Sequence, residues 1–186
     1  MGAAEAVRMI ARHGGDRLTR LVLVAPTTPR LLRASDNPEG LPPGAFEEMV
    51  TGLKADKPAF LATFASAFFG APEAVSSELT GWGVRLAEQA SVRTSIELVR
   101  TFSQADLRDD LSAVSVPTLI LHGDADVPAP LELCGRPTAE GIRGSRLEVY
   151  EGGPHGLPLA TGHKERLTRD LMTCLGVDTR DRDRAP

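Results

Sequence analysis

Two short stretches carry residue types that could do chemistry together. His122-Gly123-Asp124-Ala125-Asp126 offers two carboxylates, and Gly152-Gly153-Pro154-His155-Gly156 offers an imidazole among glycines. A carboxylate that accepts from one ring nitrogen fixes the histidine tautomer and stabilises the imidazolium, leaving the other nitrogen as a general base. The glycines let the backbone bend around His155 and keep the ring accessible. Singly, each residue has a plainer use. Aspartate in a Gly-rich loop often only caps the next helix, and a loop histidine is often only solvated. The order carboxylate then imidazole, on consecutive strand ends, is what points to acid–base work.

Such a pair needs a nucleophile. A serine nucleophile of this type sits in a strand–turn–helix elbow of the form Gly-x-Ser-x-Gly. None of the 18 glycines begins Gly-x-Ser. Ser35, Ser66, Ser76, Ser77 and Ser91 fall in loop or helical sequence, where surface or capping roles suit them. Cys134 and Cys174 read as ordinary part-buried thiols. His122 reads as a hydrogen bonder beside the acid loop. His13 reads as the end of a helix and His163 as the opening of another. Asp126, His155 and His163 lack the His-x-x-x-His or Cys-x-x-Cys spacing of a metal site, so no metal is expected. Nucleotide-binding glycine motifs are absent as well.

The elements that must position the pair follow from apolar patterning. Leu21-Val22-Leu23-Val24-Ala25, residues 116–123 and residues 146–150 are short apolar runs, the signature of strands buried on both faces. Their loops leave the same edge of a parallel sheet, with neighbouring strands about 4.8 Å apart. Helical patterns fall at 3–13, 45–56, 58–69, 73–90, 91–104, 130–142 and 163–175. The first helix lacks a Ser, Thr, Asp or Asn cap. Residues 26–108 carry seven of the eight aromatics and no strand signal, so they read as a helical insertion. The alternation implies one α/β domain over 1–177, followed by a charged, disordered tail at 178–186.

Composition bounds the partners. The chain has 186 residues, a formal net charge of −4 and two cysteines. That balance makes no electrostatic case for nucleic acid or an anionic membrane. Two cysteines cannot form a disulfide scaffold, which favours a reducing cytoplasm. No apolar run reaches the roughly 18 residues of a membrane span.

The chain resembles the α/β-hydrolase superfamily, and within it the cofactor-free, non-haem haloperoxidase, perhydrolase and esterase group. The resemblance is carried by Met1 to Arg8, Ala11-Arg12-His13-Gly14, Leu21 to Val24, Asn37-Pro38-Glu39-Gly40-Leu41-Pro42, Phe68-Phe69-Gly70, Phe102 to Asp106, Asp109-Asp110-Leu111, Val116 to Asp126 and Pro154-His155-Gly156-Leu157. It implies that Asp126, not Asp124, is the triad acid and that His155 is the base. Met1 matches the residue just after the nucleophilic serine, whose amide is an oxyanion donor. The resemblance therefore implies a C-terminal part of the fold, truncated just after the nucleophile, with about three parallel strands and a helical cap at 26–108. Val127-Pro128-Ala129 departs from the family's usual Gln-Ile-Val, and the stretch from Pro158 to Gly162 is slightly longer than usual.

The expected activity of the whole protein is acyl transfer on a small-molecule ester or carboxylic acid, either hydrolysis or perhydrolysis, with no cofactor. Phe68, Phe69 and Trp82 are the candidates for a substrate pocket under the helical cap, with plain core packing as the alternative for each. The alternative is a non-catalytic remnant or a binding module on the same fold. As it stands the chain lacks a nucleophile. A strand at 21–24 without an inner neighbour would also expose an apolar edge and invite self-association.

Overall fold

The computed structural model describes residues 1–70 and 74–177. The charged tail expected at 178–186 lies outside the described residues. Three parallel strands, β1 (Leu21–Val24), β2 (Thr118–Gly123) and β3 (Arg146–Tyr150), lie in that spatial order, with Leu23 opposite Ile120 and Ile120 opposite Leu147. All six residues of β2 are buried. This is why its sequence is apolar without alternation, as expected for a strand covered on both faces.

The two faces have separate cores. Leu21, Leu23 and Ile120 pack with Val7 and Ile10 of α1 (Gly2–His13) and with Leu111 and Val114. On the other face Leu119 and Leu121 pack with Tyr150, Leu157 and Leu167, with Val22 and Val24 beside them. Between β1 and β2 run α2 (Pro43–Ala55), α3 (Lys57–Phe69), α4 (Ser77–Glu88), α5 (Val92–Gln104) and the short α6 (Arg108–Ser112). The middle starts are set by local chemistry: Asp56, Ser76 and Ser91 each accept a hydrogen bond from the amide three residues on. By contrast Met1 precedes α1 without a side-chain capping bond.

Two sequence expectations shift here. The helix expected over 130–142 is the shorter α7 (Gly135–Gly141), because Pro137 suits only a first turn and would break a helix begun at 130. The loop from 151 to 162 contains a 3-10 turn at Leu157–Leu159 before the last helix, α8 (Lys164–Leu175). His163 stands directly before α8, and His13 ends α1.

The inserted helices are docked onto the acid loop. Phe46, Leu53, Ile96 and Val99 share a buried cluster with Leu31, Ala129 and Cys134. Lys57, almost fully buried, donates to the backbone carbonyls of Glu88, at 2.9 Å, and Ala90. It thereby ties the start of α3 to the end of α4.

Candidate active site

The carboxyl ends of β2 and β3 place the acid and base loops side by side, and backbone bonds knit them together. The Asp124 amide donates to the Tyr150 carbonyl and the Ala125 amide to the Gly153 carbonyl, both at 3.1 Å. Asp124 Oδ1 accepts from the Gly152 amide at 2.6 Å, so this carboxylate braces the base loop. The loops touch so closely that a Cβ at position 123 would stand 1.9 Å from the Gly153 carbonyl oxygen.

Asp126 is fully enclosed. Its Oδ1 accepts from the Ala129 amide at 2.8 Å, and its Oδ2 accepts from His155 Nδ1 at 2.7 Å. The carboxylate only accepts, so the proton of His155 sits on Nδ1 and Nε2 is left to act as a base. The base loop is anchored from the insertion as well. The Gly156 amide donates to the Phe68 carbonyl at 2.7 Å, and the Phe68 ring meets the His155 ring edge-on with centroids 4.8 Å apart. A Cβ on Gly156 would come within 2.7 Å of Phe69. Gly156 is thus required by close approach. The positive φ in this loop falls at Gly152, at 67°.

His122 closes the arrangement from below. Its fully buried Nε2 lies 2.7 Å from the Ala129 carbonyl, which can only accept, so Nε2 carries the proton. The same nitrogen is 3.3 Å from Asp126 Oδ2. Its Nδ1 has no hydrogen-bond partner among the described residues. Burial pushes the Asp126 carboxyl up. Hydrogen bonds from His122 and His155, the charge of His155 and the Ala129 amide outweigh that and hold it below the usual carboxylate value.

His155 opens onto a cavity of about 370 Å³ whose wall includes Met1, Thr27, Phe46, Phe64, Phe68 and Val127. Among the described lining residues Thr27 is the one hydroxyl, and no serine is present. Burial, with the nearby Asp126 charge, pushes the Cys134 thiol well above its usual value, so it is no thiolate nucleophile.

The sequence candidates divide on this map. Asp126, His155, Met1 and Phe68 come together. Phe69 is buried behind Phe68, in a cluster with Ala65 and Val75. Trp82 does not belong to the pocket wall: it is 47% exposed on α4 and absent from the cavity lining. The insertion's aromatic content suggested a lining role for it, but its helical phase turns it outward. Phe46, Met49 and Phe102 of the insertion also line the cavity, together with Val127 and Pro128 from the stretch that departs from the family's usual Gln-Ile-Val. A pocket role for the three helical residues is not legible in the sequence, because a helical apolar residue reads as core whichever wall it faces.

No protein-family model matches the chain. A non-heme chloroperoxidase of Kitasatospora aureofaciens is 32% identical over 94% of this chain and 65% of its own length. A bifunctional esterase/perhydrolase of Acinetobacter calcoaceticus is 31% identical over 92% of this chain and 63% of its own. The crystal structure of a bromoperoxidase from Bacillus anthracis superposes with a TM-score of 0.89 at 34% identity, covering 95% of this chain and 64% of that one. The chain belongs to the α/β-hydrolase superfamily. This α/β-hydrolase chain spans somewhat under two thirds of the length of the relatives it matches. Among the described residues no helix is long and apolar enough to cross a membrane.

Proposed function

We propose that this α/β-hydrolase chain supplies the acid, Asp126, and the base, His155, of a serine-dependent acyl transferase acting on small-molecule esters or carboxylic acids. The observation that carries the reading is the 2.7 Å bond from His155 Nδ1 to the enclosed Asp126, at the mouth of an apolar cavity. The nucleophilic serine belongs to a segment preceding Met1, and the Met1 amide is one oxyanion donor. His155 Nε2 takes the serine proton as the hydroxyl attacks the acyl carbon, then returns it to the leaving alkoxide. Water releases the acid from the acyl-enzyme. Hydrogen peroxide in place of water releases a peracid, which oxidises halide to hypohalous acid and returns to the carboxylate. The relatives' chloroperoxidase and perhydrolase names support the second outcome. No cofactor enters either route. Two free cysteines favour the cytoplasm as its place.

A fluorophosphonate probe and a p-nitrophenyl ester test the reading on two proteins: the 186-residue chain, and the chain extended in frame upstream. The extended protein should be labelled on a serine preceding Met1 and hydrolyse the ester. His155→Asn should reduce its kcat by about 10³-fold or more. Labelling of any serine within the 186 residues would overturn it, as would full activity of the Asn variant.

A further inference from the structure

We propose that an apolar recess between α3 and α4 is a binding subsite for the remote end of a neutral aliphatic acyl group, partitioned from the His155 cavity by Phe64. The proposal rests on the acyl-transfer reading above. Phe60, Phe64 and Phe68 recur at four-residue spacing along α3, with successive ring centroids 5.8 and 6.3 Å apart, and the series ends on His155. Phe64 and Phe68 line both the 370 Å³ cavity and a second space of about 180 Å³. The far walls of that second space are Leu61, Ala65, Phe69, Val84 and Ala87.

The two rings of the partition are held differently. Phe68 is braced by His155 at 4.8 Å, by Phe69 at 4.9 Å and by its own carbonyl's bond from Gly156. Phe64 meets only its neighbours on the same helix among the described aromatic contacts. Phe64 is therefore the ring whose size sets where the space beside His155 ends. The chemical class follows from the lining. Among the described residues the recess carries no Lys, Arg, Asp or Glu side chain, so a charged tail end would lie there unpaired, at high cost. An aliphatic tail would gain about fourfold in affinity for each methylene taken from water.

Straight-chain carboxamides from butanamide to decanamide test this on the 186-residue protein, because they fill the acyl site without needing a nucleophile. Binding is followed through the His155 ring signals by NMR. In the unsubstituted protein the affinity should rise with length and then level off. In Phe64→Ala it should continue to rise, about fourfold per methylene over the next two or three carbons. Ala87→Phe added to Phe64→Ala refills the recess and should restore the original limit. Phe64→Leu, a smaller opening, keeps the test available if the Ala variant melts. An identical length dependence in the unsubstituted and opened proteins overturns the proposal. So does a limit that Ala87→Phe leaves unmoved, or no binding at any length. The acyl-transfer reading is judged separately by serine labelling and can survive any of these failures.

Discussion

At the scale of single residues, Asp126 is the centre of the site. Three groups from separate positions converge on one carboxylate: the Ala129 amide, the His155 ring and, at longer range, the His122 ring. Its neighbour Asp124 has the same chemistry but spends it on the Gly152 amide. Because the Asp126 carboxyl is held below its usual value, it stabilises the fold at pH above the unfolded carboxylate range. That contribution is lost as pH falls through its lowered folded value. Asp126→Asn should therefore lower stability near neutral pH by about 1–3 kcal/mol. The gap to the parent should shrink as pH drops below about 4. Urea midpoints measured across pH check this, and a gap that stays constant over the whole range would sink it. The motif spacing made the pair of loops legible in the sequence. Which oxygen accepts which proton was not, because it depends on atoms 29 residues apart in the chain.

At the scale of elements, the site exists because β2 and β3 end at the same level and their loops pack backbone to backbone where they leave the sheet. Gly123 is the clearest case, since its missing Cβ leaves room for the Gly153 carbonyl. Gly123→Ala should force the loops apart, cost on the order of 2–3 kcal/mol in a denaturant titration, and separate His155 from Asp126. An unchanged midpoint, with the His155 Nδ1 proton still hydrogen-bonded by NMR, would contradict the close packing described. Periodicity located most helices to within a few residues. It failed at α7, where Pro137 fits only the first turn, and at α6, which is five residues long and too short to show a period.

At the scale of the whole molecule, β1 is the edge of the sheet and pairs only with β2 among the described residues. The Leu21 amide donates to the Pro117 carbonyl just before β2, at 3.0 Å, and the Ala25 amide to the Leu121 carbonyl of β2, at 2.8 Å. In a strand the amides of Val22 and Val24 then face the other way. An apolar edge with outward donors is a template for pairing with another strand. The 186-residue chain should therefore sediment as a dimer or larger species. Val22→Pro, which removes an outward donor and leaves the β2 ladder intact, should shift it towards monomer. A monomeric parent protein at the same concentration would overturn this.

The sequence by itself determined the parallel α/β character, the helical insertion and the two loops that could hold acid and base. Those properties are written in local patterns: apolar runs, helical spacing and glycines beside chemical side chains. The tertiary structure alone decided the rest. It turned Trp82 outward while placing Phe64 and Phe68 on the wall of the cavity that His155 opens onto, and it set which oxygen of Asp126 meets the imidazole. The physical reason is that a side chain's partner across the fold is set by how helices rotate and loops pack against each other. Burial and hydrogen bonding over tens of residues of separation fix that rotation, and no short window of sequence contains it.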